Sequence, residues 1–427
     1  MFDPFYAVLA AVSSLAVKSA VGRWGYSGRG DHPMFGDFEA QRHWMEITAS
    51  LPIGDWYRNS TDNDLQYWGL DYPPLTAYVS WIFGMLAKCF YPSLVKLGDS
   101  RAFEEPGGKL FMRTSVILTD IITLIPAIIC CVELLSKVDK GQAADSKNSK
   151  KRTNIADATE SAKILVEKSD QSDTANKHQL STFLLLLVCL SCPAIVLVDH
   201  GHFQYNGVCI GLSLLGAISI LKDQDVIGSI LFCLALNFKQ MALYYAPVFF
   251  FVLLRKCFDK LNWYQKCIHL IKVGSAVIFS FFALWWPFCF YAHESETCIS
   301  SLLLVLARQF PFSRGIFEDK VANIWYAASI VFDFRKHFSI SFMAKMSLCL
   351  TLLLLSPIAV DLLSRKITPR RLFLSLVNSS LAFFLASFQV RYREEASPVF
   401  FFYFGIIYIG TKKTQFRIKI LRHMTIS

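Results

Sequence analysis

The chain has 427 residues, of which 54% are hydrophobic and 15% aromatic, and it carries a formal net charge of +10. Charged residues make up only 18%, below the roughly 25% of soluble domains, which excludes a water-soluble globular fold. Repeated apolar runs of about 18–23 residues read instead as a multi-span helical membrane protein, so the positive charge marks cytoplasmic loops and not a nucleic-acid partner.

The first apolar run, 4–21, lacks a basic leading segment and a small-residue cleavage site, and reads as an uncleaved span. A polar loop follows, with GDFEAQRHW at 36–44 and WGLDYPPL at 68–75. The run 73–90 is short and amphipathic; 111–135 is a firm span. Residues 136–179 are polar and rich in Lys, Asp and Ser, cannot bury enough surface to fold alone, and read as a disordered cytosolic linker. Further spans are expected at 180–198, 205–221, 226–236, 241–254, 268–291, 342–363, 372–390 and 398–409. The chain then divides into 1–135, the linker 136–179, the membrane helices 180–390 with a polar loop at 292–341, and a C-terminal segment 391–427. No internal repeat is visible. The twelve cysteines have no CxxC pair and no Cys/His metal spacing, and read as small lipid- or core-facing residues, not as disulfides or ligands.

Lys and Arg set the orientation. The basic loops 136–179, 255–266 and 364–371 and the tail from Lys412 are expected in the cytosol. They share one side only if 293–341 stays on the other side and, with a cytosolic N-terminus, 73–90 does not cross. The loops 23–110 and 293–341 then share the non-cytosolic face, where Asn59-Ser60-Thr61 forms a glycosylation sequon.

That face concentrates the polar chemistry. Asp37 opens a helical pattern in which Ala40, Trp44 and Ile47 share one face and Glu39 and His43 another. Asp37 reads either as the N-cap of this helix or as a general base; Asp71, ahead of Tyr72-Pro73-Pro74, reads as a cap for the next helix or as the same kind of base. His200, His202, Gln204 and Asn206 sit at a span boundary, as metal ligands or as other polar site groups. Arg308, Arg314 and Lys320, beside Glu318 and Asp319, form either a solvated, salt-bridged helix or a phosphate clamp. With aromatics able to stack on sugars, this fits a transferase using a lipid-phosphate donor. A transporter fits less well, because its charges would lie mid-span and its repeats would show.

The stretches MFGDFEAQRHWMEIT (34–48), LPIGDWY (51–57), DNDLQYWGLDYPPLTAY (62–78), KLFMRT (109–114), DHGHFQYN (199–206), NFKQMALYYAP (237–247) and FPFSRGIFEDKVANIW (310–325) carry a resemblance. The chain resembles the dolichyl-phosphate-glucose-dependent α-1,3-glucosyltransferases of the endoplasmic reticulum, above all those adding the first glucose to the lipid-linked high-mannose oligosaccharide. The sister enzymes that add the second glucose are the alternative. The resemblance implies an all-α, polytopic C-type glycosyltransferase fold with two long luminal loops, in a multi-pass protein of the endoplasmic-reticulum membrane. It implies inverting transfer from dolichyl phosphate glucose to a dolichyl-diphosphate oligosaccharide, with no cofactor and no metal. Asp37, in the family's GD[FY]E motif, is the implied catalytic base. The residues expected to bind substrate are Glu39, Arg42, His43, Trp68, Asp71, Tyr72, His200, His202, Gln204, Arg314, Asp319 and Lys320. Two departures stand out. After SFQV the family continues with His-Glu-Lys, whereas this chain reads RYREEASPV from Arg391, as at an altered exon; and the linker 136–179 is long. The first departure replaces a luminal His and omits later helices, and implies a weakly active or inactive form.

Overall fold

A computed structural model describes residues 3–137, 179–292, 296–310 and 323–386. Among them the regular structure is helical throughout, as the composition required. Residues 138–178 of the expected linker, the departure from Arg391 and the apolar run 398–409 lie outside the described residues, as do Arg314, Asp319 and Lys320.

Helix starts follow local chemistry. Asp3 caps α1 (Pro4–Gly22), its carboxylate accepting the Phe5 N–H at 2.9 Å, with proline in the first turn. Prolines also open α3 (Pro74–Phe90) and α4 (Pro106–Lys137), while α2 (Gly36–Ser50) starts from a tight loop. The chain continues through α5 (Gln179–Phe203), α6 (Asn206–Leu221), α7 (Asp225–Phe238), α8 (Ala246–Phe258), α9 (Trp263–Phe290), α10 (Cys298–Gln309), α11 (Ile340–Ser364) and α12 (Pro369–Ala386).

Five of the described helices are long and apolar enough to cross a membrane: α1, α4, α5, α9 and α11. The runs 205–221 and 226–236, expected as full spans, form a hairpin of 16- and 14-residue helices. At 1.5 Å per residue these reach only about 24 and 21 Å, short of a hydrocarbon core of about 30 Å. The run 73–90 forms the 17-residue α3, which is not among the five and packs along α2.

Two features go beyond the sequence reading, and the second corrects the reading of the cysteines as not disulfide-bonded. Every residue of α2 from Asp37 to Thr48 is buried, because α3 and the loop segment 92–102 wrap the face that carries Glu39 and His43. And Cys289 and Cys298 form a disulfide, with Cα atoms 4.4 Å apart. Their nine-residue separation gave no sign of it; the bond arises where the end of α9 turns back into α10.

Two apolar clusters organise the interior. The larger runs through the membrane helices. The smaller joins Trp44 and Ile47 of α2, Trp56, Tyr57, Leu70 and Tyr72 of the first loop, Phe288 of α9 and Val305 of α10. The second cluster therefore seats α10 on the first loop, and polar contacts fix it there. Arg58 forms a salt bridge with Glu296, and Arg308 donates to the Gly69 and Leu70 carbonyls at 3.0 and 3.3 Å.

Candidate active site at the first loop and the end of α5

The loop before α2 folds on itself to deliver Asp37. Phe35 and Gly36 both take left-handed backbone angles, with φ of 58° and 68°. A Cβ on Gly36 would lie 2.7 Å from the Ser27 carbonyl oxygen, so glycine is required at this approach of two backbones. Phe35 occupies the capping position, so Asp37 is not the N-cap; it stands in the first turn of α2. Likewise Pro73, not Asp71, caps α3.

The other half of the site comes from α5, whose last turns, Val196–Phe203, are a π-helix. A π-turn adds a residue to the helical register and re-aims the side chains around it. Phe203 ends it at φ 97° and leaves Gln204 extended. Both residues flanking Phe203 then meet Asp37: His202 Nε2 lies 3.0 Å, and the Gln204 side-chain amide nitrogen 2.7 Å, from Asp37 Oδ2. Ser27 ties the two strands of chain together, accepting the Asp37 N–H at 3.2 Å on its hydroxyl and donating its own N–H to the His202 carbonyl at 3.1 Å. Asp37 is 1% exposed, whereas the His202 side chain is 35% exposed.

Behind Gln204 lies a chain of polar groups. Lys239, buried at the end of α7, donates to Gln204 Oε1 at 3.2 Å and to Asn206 Oδ1 at 2.6 Å, and its ammonium sits 5.0 Å from the centre of the Tyr72 ring. The Tyr72 hydroxyl lies 3.5 Å from Gln204 Oε1. Asn206 in turn donates to Asp199 at 2.8 Å. Burial raises the Tyr72 phenol above its ordinary range, opposed by the Lys239 charge.

Of the remaining expected site residues, His200 turns away from Asp37. Its Nε2 meets Asp120 of α4 at 2.8 Å, and Asp120 also binds Lys18 of α1 at 2.7 Å. The Asp120 carboxylate lies so close to Gly207 that any Cβ there would fall 2.3 Å from its oxygen. The sequence placed the charges in loops, but Lys18 and Asp120 are buried inside spanning helices, where lone ionisable residues in apolar runs are easily passed over. His200 and His202 thus serve different carboxylates, and no group of three or more His, Cys, Asp or Glu among the described residues is arranged to hold a metal ion.

Glu39, Arg42 and His43 are buried in a loop-internal network. The Arg42 guanidinium pairs with both Glu39 oxygens at 2.6 and 2.7 Å, with Glu46 at 2.7 Å, with Ser100 at 2.6 Å and with the Leu94 carbonyl at 2.9 Å. Glu46 accepts the Gly98 N–H at 2.8 Å and lies 3.3 Å from His43 Nδ1. Burial opposes its charged form, but His43 and Arg42 outweigh this and bring its pKa down to about 2. The Tyr67 hydroxyl donates to Glu39 at 2.8 Å, and burial together with that carboxylate raises the phenol well above its usual range. These contacts tie α2 to the segment 94–102. Trp68 donates its indole N–H to the Met34 carbonyl and accepts from Trp44 at 2.9 Å through its own carbonyl; the Asp71 carbonyl accepts from Gln240 at 2.9 Å. The aromatic residues and Asp71 shape the loop around Asp37.

Sequence reading singled out Asp37, His202 and Gln204 but not Ser27, Lys239, Asp199, Lys18 or Asp120 as partners. The available signal was an ionisable residue within an apolar stretch, as at Lys18 and Asp120.

The helical membrane architecture and a buried carboxylate gripped by two side chains at the end of a span define a polytopic membrane protein with a buried polar centre where its first loop meets α5. The family assignment narrows this. The ALG6, ALG8 glycosyltransferase family matches residues 14–424, and the chain belongs to it. A "probable dolichyl pyrophosphate Man9GlcNAc2 alpha-1,3-glucosyltransferase" of Dictyostelium discoideum is 41% identical over 390 residues, covering 90% of this chain and 66% of that protein. The "dolichyl pyrophosphate Man9GlcNAc2 alpha-1,3-glucosyltransferase" of Gallus gallus is 40% identical over 379 residues, covering 88% and 65%, respectively. A probable enzyme of the same name from Arabidopsis thaliana is 39% identical over 385 residues, covering 90% and 64%. The chain thus spans just under two thirds of the length of these relatives.

Proposed function

We propose that this protein transfers glucose from dolichyl phosphate glucose to a terminal mannose of a dolichyl-diphosphate oligosaccharide, forming an α-1,3 bond with inversion, on the luminal side of the endoplasmic-reticulum membrane. The observation that carries the reading is Asp37, held by His202 and Gln204 in a family whose members bear the names given above. Asp37 takes the proton of the mannose hydroxyl; the hydroxyl oxygen attacks C1 of the β-linked glucose; dolichyl phosphate leaves with the bonding electrons. A positioned base of this kind contributes roughly 10²–10⁴-fold. His202, the partly exposed partner, passes the proton on to water. Glu39, Arg42 and His43 act by holding the loop, and Trp68, Asp71 and Tyr72 by shaping the ground around the acceptor. Arg314 and Lys320, proposed from sequence alone, stabilise the charge on the leaving phosphate, with Asp319 beside them. The sequon at Asn59, whose side chain is exposed, and the Cys289–Cys298 disulfide support a luminal face.

The test is transfer of glucose from dolichyl phosphate glucose to the oligosaccharide lipid by the purified chain in lipid nanodiscs, with and without Asp37→Asn. The expected result is transfer by the parent, weakened by the departure from Arg391, and a further loss of roughly 10²–10⁴-fold in the variant, with unchanged folding. Near-normal transfer by Asp37→Asn, with Asp71→Asn inactive, would move the base to Asp71.

A further inference from the structure

We propose that Lys239 is a positioning residue for the Asp37 centre, a buried ammonium that decides which way the Gln204 side-chain amide faces. The inference rests on the reading of Asp37 as the base.

An amide side chain offers an acceptor at one end and a donor at the other, and nothing in its own shape favours either orientation. At Gln204 the choice is made from both sides. An ammonium only donates, so Lys239 Nζ, 3.2 Å away, calls for the Gln204 oxygen. The opposite end, 2.7 Å from Asp37 Oδ2, is then the NH₂ group, which stabilises an ionised carboxylate. Reversing the amide would set oxygen against carboxylate and NH₂ against ammonium. The same logic holds on the other side of Lys239: Asn206 turns its oxygen to the ammonium at 2.6 Å and its NH₂ to Asp199 at 2.8 Å. One buried cation thus orders two amides, each delivering a donor to a carboxylate. Lys239 is 1% exposed, and burying an ammonium is unfavourable unless such contacts compensate it. Its distance from Asp37, one whole amide away, makes it a residue that acts through Gln204 and not a catalytic one.

The experiment is a kinetic double-mutant cycle on the full chain in nanodiscs, using dolichyl phosphate glucose as the varied donor. Lys239→Met keeps the length and linearity of the side chain and removes the donor. It is expected to lower kcat by roughly ten- to hundredfold, by analogy with the loss on removing the outer hydrogen-bond partner of a metal-ligating side chain, with KM for the donor within about twofold. Because Lys239 works through Gln204, the pair Lys239→Met and Gln204→Met should be no slower than Gln204→Met alone. Parent-like kcat in Lys239→Met, or losses that multiply in the pair, would overturn the proposal. If Lys239→Met does not fold by thermal melting, Lys239→Leu, which likewise carries no donor, enters the same cycle with the same criterion. Asp37→Asn is run alongside. Normal transfer by Asp37→Asn removes the base assignment; an inactive Asp37→Asn beside a parent-like Lys239→Met removes only the role of Lys239.

Discussion

Two buried polar clusters lie within a few residues of each other on α2, and they are built in opposite ways. The Arg42 cluster is local. Glu39, Arg42, His43 and Glu46 sit three or four residues apart on one helix, and the partners they recruit at 94–102 belong to the same loop. The Asp37 cluster is assembled from afar, with His202 and Gln204 lying 165 and 167 residues along the chain and Lys239 further still. The first cluster is closed to solvent; the second reaches it through His202. A closed local cluster suits holding a loop together, and a cluster joining separate elements beside solvent suits chemistry.

Swapping the consequences of the two clusters would break this comparison. Arg42→Met leaves Glu39 and Glu46 buried without their cation, a kind of change worth about 3–5 kcal/mol. It is expected to abolish folded protein, read by size-exclusion yield and thermal melting. Asp37→Asn should instead melt like the parent. A stable Arg42→Met would show that the local cluster is not structural.

Acid sharpens the contrast. Glu46 has its pKa lowered from an ordinary value of about 4.5 to about 2. A depressed carboxylate contributes stability that is present above the ordinary value and is lost as the pH falls through the folded one. Thermal melting should therefore be unaffected by Glu46 down to about pH 4.5 and decline between about 4.5 and 2. In Glu46→Gln this part of the acid dependence should be missing, measured as the difference between the two melting profiles.

A smaller effect is expected at the turn that seats α10. Cys298→Ser opens the disulfide with Cys289; disulfides of this kind are worth about 2–4 kcal/mol. The loss should appear as faster limited proteolysis around α10, with Arg58–Glu296 and the Arg308 contacts still holding the helix. Unchanged proteolysis would mean that the second apolar cluster and these polar contacts fix it without the disulfide.

The smallest effect belongs to Asn59→Gln. Its side chain is exposed and accepts the Leu65 N–H at 3.1 Å, so stability should change by about 0.5 kcal/mol or less. The variant should lose a glycosidase-sensitive mobility shift in microsomes. A parent protein without such a shift, and with residue 60 labelled from the cytosol once replaced by cysteine, would reverse the assigned orientation of the loop.

By itself the sequence determined the membrane setting, the helical class and most helix positions, because hydropathy and periodicity are properties of neighbouring residues. It also placed Glu39 and His43 on one face of α2, opposite Ala40, Trp44 and Ile47, since a spacing of four brings side chains together on any helix. That both faces are buried was left to packing, which alone decides which stripe is covered. Tertiary structure alone decided that Asp37 meets His202 and Gln204, that Lys18 meets Asp120 across 102 residues, and that Cys289 bonds Cys298. Each of these depends on how helices approach one another and on a π-turn at the end of α5, and no local pattern in the chain encodes that geometry. Lys239 is the sharpest case: in the sequence it is one lysine in a short turn, and only the folded chain sets it between two amides.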